Sequence, residues 1–295
     1  MTTTQLRQII VPFLALIIAA VMAIWLIPPA ISLLKQAFPP RFDRSPTGFA
    51  AATIAQGARL FPEHCGGCHG IAGRGDGPAA KTLPIPPADL TAQHLWNHSD
   101  GELFRWLSRG MTSPQGDQAM PGFAKILSEA DRWALIDFIR ANNAGIAWAA
   151  TGEWPHVLRA PNLSALCADG RTVTLADLQN KSTVIVALRP AGAALSVPPA
   201  SLASQLTTIW LTLDPQVSPS ANACVADDRS AWTAYAVISG VAPSALAGTV
   251  FLVDLKGWLR AGWRSDDPSS WFDPMDLSAK IEEIRSHPIE TVPGE

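Results

Sequence analysis

Charge is scarce in this sequence. Asp, Glu, Lys and Arg make up only 16% of its 295 residues and the formal net charge is −3, so there is no basic footprint for nucleic acid. Cysteine is scarce as well: four thiols are too few for a disulfide scaffold, and two of them share one short motif. No internal period of solenoid type is present, and the 25 prolines lie between apolar stretches rather than in a repeat. A single tyrosine stands against eleven tryptophans, an imbalance without an evident physical reason. What the chain has in quantity is apolar residues, 48% of the total, too many for a disordered tail. It must bury a sizeable core or enter a membrane, and its length corresponds to about two domains.

Ile9 to Ile27 is a run of 19 residues without a charge, between Arg7 and Pro28-Pro29. At about 1.5 Å per residue a helix of that length is roughly 28 Å long, close to the roughly 30 Å hydrocarbon thickness of a bilayer. Pro12 falls near its start, where a missing amide costs least, and the proline pair would stop it sharply. The reading is a transmembrane anchor over 8–29. A cleaved secretory signal competes, but such signals carry apolar runs of about 7 to 15 residues, and no small-x-small site follows here. Flanking charge does not orient the span, since Arg7 precedes it while Lys35, Arg41 and Arg44 follow. Residues 30–48 are proline-rich and aperiodic and read as a semi-rigid linker.

The most specific signal is Cys65-Gly66-Gly67-Cys68-His69. Two thiols separated by two residues match thioether attachment to both haem vinyl groups, and the histidine directly after them is placed to ligate the iron. A thioredoxin-like redox pair shares C-x-x-C but does not require the histidine, and a zinc site needs a second ligand pair that is not seen. The motif predicts one covalently bound haem c.

Around it, FAAATIAQGARLFPEHC reads as a helix, GIAGRGDGPAA as a glycine-rich loop, and Met120-Pro121-Gly122-Phe123 stands 51 residues after His69, just before a helix start at Ser128 with Asp131 three residues on. Trp133, Ile136 and Ile139 or Arg140 recur at helical spacing, with Leu135 and Phe138 widening the stripe. Over about 49–145 these features resemble class I c-type cytochromes, in their mono-haem form. The resemblance implies an all-α cytochrome c domain in which Gly57 and Phe61 mark the crossing of the first and last helices. It implies that the Pro78 carbonyl accepts the N–H of the proximal imidazole, and that Met120 is the distal ligand; a plain turn proline is the alternative at Pro78. Met111, after Arg109-Gly110 and lacking the Met-Pro context, reads as packing. His94 or His98, or an open position, are the other distal alternatives, although both histidines read first as loop residues leading into a helix capped near Ser99 or Asp100. Arg74 reads as a propionate contact or a surface charge, and Trp96 and Trp106 as core or haem-wall residues.

Beyond a junction at 146–160, the pattern predicts a strand at 183–189, a helix near 199–207, a strand at 208–213, a helix at 229–238, strands at 249–253 and 258–263 about a Lys256-Gly257 turn, and a helix at 276–286. This order, with Ala168-Asp169-Gly170-Arg171 ahead of it, resembles the thioredoxin-like fold of peroxiredoxin and SCO type over 161–295. Where that family places its cysteines the chain has Arg189-Pro190-Ala191-Gly192-Ala193, and Gly248-Thr249 replaces the expected proline. Neither redox nor copper chemistry carries over, so the domain reads as a degenerate scaffold. Cys167 and Cys224 would pair in an oxidising compartment, closing a loop of 57 residues; two separate thiols are the alternative.

The expectation is therefore a multi-domain chain: an N-terminal transmembrane helix, an all-α cytochrome c domain and a C-terminal α/β thioredoxin-like domain. Its expected function is one-electron transfer in a periplasm-facing respiratory chain, with a membrane respiratory complex or other redox protein as partner and the lipid bilayer as support. The resemblance places it in the bacterial inner membrane, single-pass, N-terminus cytoplasmic. An assembly or docking subunit, or an SCO-like copper or redox factor with an accessory haem, is the competing class.

Overall fold

A computed structural model describes residues 44–178, 182–188, 200–202, 205–221, 223–264 and 273–289. In its first half lie α1 (Ala51–His64), the single turn α2 (Gly66–His69), α3 (Asp100–Arg109) and α4 (Glu129–Thr151). The starts of α3 and α4 are set by reciprocal caps. Ser99 accepts from the Glu102 amide while the Glu102 carboxylate accepts from the Ser99 amide, and Ser128 and Asp131 repeat the arrangement. Helix α4 ends at Gly152, whose φ of 78° is the left-handed conformation glycine adopts without strain. The α1–α4 crossing is close at Gly57, where an added Cβ would strike the Ala134 carbonyl oxygen and lie 2.6 Å from Phe138 Cβ. One turn on, the Phe61 and Phe138 rings sit 5.0 Å apart. A hairpin of β1 (Met111–Thr112) and β2 (Gln118–Met120) connects α3 to α4, with Met111 directly opposite Met120.

The second half is built on a sheet of β3 (Ser164–Leu166), β4 (Thr172–Thr174), β5 (Ser182–Ala187), β6 (Leu206–Thr212), β7 (Ala223–Asp227), β8 (Val250–Val253) and β9 (Leu259–Trp263), with α5 (Arg229–Ile238) and α6 (Pro274–Ser286). Strand order is β4-β3-β7-β6-β5-β8-β9. Strands β5, β6 and β7 run parallel, and β8 and β9 antiparallel. The β6-β5-β8-β9 core has the thioredoxin-like order. β-Branched and apolar residues fill both faces: Val184 and Val186 pack towards α6 with Leu277 and Ile281, while Ile185 and Ala187 pack towards α5 with Ala234 and Ile238. The order contains β3, β4 and β7, which the sequence pattern does not show as strands. Of the expected helix near 199–207, a single 3₁₀ turn at Ala200–Leu202 is described, and β6 already begins at Leu206.

The two halves share a core. Ala51 and Ile54 of α1 and Ala141 and Ala144 of α4 belong to the same buried cluster as Tyr235 and Ile238 of α5 and Ile209 of β6. At Gly145 and Gly240 the two backbones approach so closely that a Cβ on Gly145 would meet the Val237 carbonyl oxygen, with Gly240 N 2.7 Å away. Across the same seam Asn162 N donates to Phe49 O and Asn162 O accepts from Ala51 N, and all the described residues fall in one compact unit. Of the stretch 146–160, the first residues simply continue α4.

One part of the expected fold class is corrected here, and with it the single-pass inner-membrane location. Among the described residues no helix is long and apolar enough to cross a membrane. The longest, α4, carries Glu129, Asp131, Arg132, Asp137 and Arg140 within its 23 residues, a charge load a bilayer would not accept. The run Ile9–Ile27 lies outside the described residues.

Candidate haem site

The motif turns at the end of α1. The Cys65 amide donates to the Phe61 carbonyl at 2.9 Å, and the Cys65 carbonyl then accepts from Cys68 at 3.2 Å and His69 at 2.9 Å. Both thiols therefore lie on one helical turn, half-buried, with no disulfide between them. Burial first, and then the neighbouring Cys68, push the Cys65 thiol up to about 12.

His69 Nδ1 lies 2.9 Å from the Ala88 carbonyl oxygen. A carbonyl only accepts, so Nδ1 carries the proton and Nε2 keeps the lone pair that a metal requires. Burial lowers the imidazole pKa, with the Ala88 bond pulling the other way, and the neutral ring is favoured. The resemblance implies Pro78 for this carbonyl, but in the structure the carbonyl against Nδ1 is that of Ala88. The amides either side of Pro78 are committed to the motif itself, Gly77 N to Cys68 O at 3.0 Å and Ala79 N to Gly67 O at 2.9 Å. Gly75 meanwhile lets the following proline-rich segment come in, since a Cβ there would lie 2.6 Å from the Pro87 oxygen.

Met120 is half-buried against the cluster of Phe61, Leu107, Phe123, Leu127 and Trp133, the same cluster that Cys65 packs on. Its loop is strapped to the end of α3 by Phe123 N to Leu107 O at 2.9 Å and Ala124 N to Ser108 O at 3.2 Å. Met111, opposite it, is 39% exposed. His98 sits edge-on to Trp106 with ring centroids 4.7 Å apart and lies 3.8 Å from Glu102. The His94 and His98 rings are 6.4 Å apart, and Arg74 is exposed. Trp96 donates to Asn143 Oδ1 at 2.7 Å beneath the Arg140 guanidinium.

Asn142 and Asn143 on α4 are functional candidates that periodicity does not reveal, because polar residues on a helix read as its wet face; Arg140 falls at a stripe position, but its polar role does not show in the spacing. Arg140 is buried, donating to Asp100 Oδ1 at 2.9 Å, Leu95 O at 2.8 Å and His98 O at 2.5 Å. The residues at hand suit haem c: two unpaired thiols in one turn, an imidazole with a fixed tautomer, a thioether, and aromatic walls. A separate cleft of about 530 Å³ opens at the seam, with Trp96, Trp258, Asp137 and Arg140 on its walls, and no motif residue lines it.

In the second half Cys167 and Cys224 are joined, with Cα atoms 4.1 Å apart, at the place where β3 and β7 pair through Leu166 and Val225. Among the described residues no group of three or more His, Cys, Asp or Glu side chains could hold a free metal ion, and positions 189–193 lie outside the described residues.

Residues 54–143, less than a third of the chain, match the family model of cytochrome c. No curated protein matches. Among solved structures, a reducing HAO-like protein complex of Kuenenia stuttgartiensis is 31% identical over 30% of this chain and 42% of its own, with a TM-score of 0.25. The chain thus spans less than half of that protein. A c-type cytochrome, KustC0563, is 22% identical over 28% of this chain and 93% of its own, TM-score 0.24. BsSco, of the Sco family of cytochrome c oxidase assembly proteins, is 13% identical over 45% of this chain and 96% of its own, TM-score 0.32. The family match falls on the segment that holds Cys65, Cys68, His69 and Met120: residues 54–143 form a cytochrome c domain, and that family implies covalently bound haem c.

Proposed function

We propose that the chain is a one-electron carrier that holds a single haem c through thioethers to Cys65 and Cys68, with His69 Nε2 and Met120 Sδ as axial ligands, and exchanges electrons with a redox partner protein. The observation that carries this is the commitment of His69 Nδ1 to Ala88 O in the same turn as two unpaired thiols. When bound, the haem supplies a one-electron couple, and two protein ligands leave no open position for oxygen chemistry. Ala88 orients the imidazole and raises its basicity. Phe61, Phe123 and Leu127 exclude water, and the strapped hairpin presents Met120. The Cys167–Cys224 bridge fits an oxidising compartment, and the sheet half serves as the scaffold on which α1 and α4 are mounted.

Mass spectrometry of the purified, denatured chain tests the reading. One haem mass should remain attached, Cys65→Ala and Cys68→Ala should each weaken retention, and His69→Ala should abolish the ligated spectrum. Attachment of no haem, or of two, overturns it.

A further inference from the structure

Two consecutive amides of α4 face the loops that flank the motif. Asn142 Nδ2 donates to the Ala72 carbonyl at 2.9 Å. Asn143 is fully buried and engages both ends of its side chain: Nδ2 donates to Leu90 O at 2.9 Å and Ala92 O at 3.1 Å, while Oδ1 accepts from Trp96 Nε1 at 2.7 Å. An amide costs free energy in a buried helix interior unless it is fully bonded, and asparagine is a poor helix former, so its place between Ala141 and Ala144 calls for a reason beyond packing. The partners supply one. Leu90 is held from its other side as well, its amide donating to Gly73 O at 2.7 Å. Asp89 stiffens the intervening turn by accepting from Thr91 N at 2.8 Å and Thr91 Oγ1 at 2.6 Å. Two residues before Leu90 stands Ala88, whose carbonyl holds His69 Nδ1.

We infer that Asn143 is a positioning residue for His69: by fixing the 88–92 loop it keeps the Ala88 carbonyl on Nδ1 and so sets the basicity of the ring that faces the iron. The inference rests on the haem reading above. The base of the clamp cannot drift, because Ala141 and Ala144 on either side of Asn143 are locked in the core shared with the sheet half. Partners beyond the first ligands orient a metal-binding histidine and tune its donor strength, and one that acts through a loop does so by holding that loop still.

The test uses the full, haem-loaded chain. The His69 Nδ1 proton is followed by NMR in the ferrous protein, for shift and for exchange with solvent, beside the midpoint potential. Asn143→Leu keeps volume but removes every bond. Asn143→Asp keeps the acceptor for Trp96 and loses both donors to the loop. In both, the Nδ1 proton should exchange about tenfold faster or more, and the potential should rise as the imidazole becomes less basic. Trp96→Phe removes one bond but leaves Leu90 tethered, and should lower stability without moving either signal. In the wild type, the Asn143 Nδ2 protons and the His69 Nδ1 proton should share one opening event across a urea series, a measurement independent of how the variants fold. An unmoved Nδ1 proton in both Asn143 variants, an equal effect of Trp96→Phe, or independent opening in the wild type overturns the inference. Absence of covalent haem in the wild type overturns the proposed function instead.

Discussion

Met111 and Met120 occupy paired positions on one hairpin, yet only Met120 packs on the apolar cluster that also receives Cys65. Met120→Ala should therefore leave the haem attached but remove the methionine-to-iron absorption band in the red and lower the midpoint potential, whereas Met111→Ala should retain the band. Visible spectra of the two variants decide it, and loss of the band in Met111→Ala would reverse the assignment. Asp137 yields a different kind of test. It is buried on α4 and accepts from Thr47 at 2.5 Å and Thr53 at 2.6 Å, but burial outweighs these bonds and lifts its carboxyl above the ordinary 3.8. A folded pKa above the unfolded one means the native state binds more protons between the two values, so this group's stabilising contribution is present at low pH and lost as pH rises. Asp137→Asn keeps an acceptor for both hydroxyls without the charge. Urea melts should show the variant gaining on wild type at pH 7 relative to pH 4; equal differences at the two pH values would refute the buried-charge account. At this scale the Cys65-x-x-Cys68-His69 turn can be read from the chain because its chemistry needs fixed local spacing. Ala88 and Asn143 cannot be, since their roles arise only when Gly73 and Gly75 admit a distant segment.

Helix α4 is defined by a cap at one end and a crossing near the other. Ser128→Ala should cost about 1 kcal/mol, read as a shift in urea midpoint at constant slope. Gly145→Ala should cost more, about 1–3 kcal/mol, because the added methyl meets the carbonyl of Val237 rather than a side chain that can turn away. A cost below that of the cap would show that α4 and α5 can slide apart. The caps at Ser99 and Ser128, helix Arg229–Ile238 and the β8–β9 pair could be read from the chain, since each is written in contiguous residues. Strand β7 could not: Ala223–Asp227 has one β-branched residue, and it is a strand because β6 pairs along it and Cys224 ties it to Cys167.

The two halves of the described residues should unfold as one body. Ala51, Ile54, Ala141 and Ala144 look like ordinary helix residues in the sequence, and only the fold shows that they are the floor on which the sheet half rests. Loss of the methionine-to-iron band and loss of far-ultraviolet ellipticity should therefore coincide in urea. Replacing Cys167 and Cys224 together by alanine should lower the urea midpoints of both signals equally, for a loss of unfolding free energy of up to about 4 kcal/mol in the chain-entropy limit. A haem signal that persists after the sheet has melted would separate the halves.

A helix common to both halves also makes the molecule a ruler. With α4 and α5 packed backbone to backbone at Gly145 and Gly240, the motif and the sheet belong, among the described residues, to one compact unit. For the proposed carrier, a redox partner gripping the sheet half would fix, by that grip alone, the span an electron must tunnel to or from the haem. Tunnelling falls steeply with span, so side chains far from Cys65 and His69 can govern how fast electrons pass while those beside the iron govern at what potential.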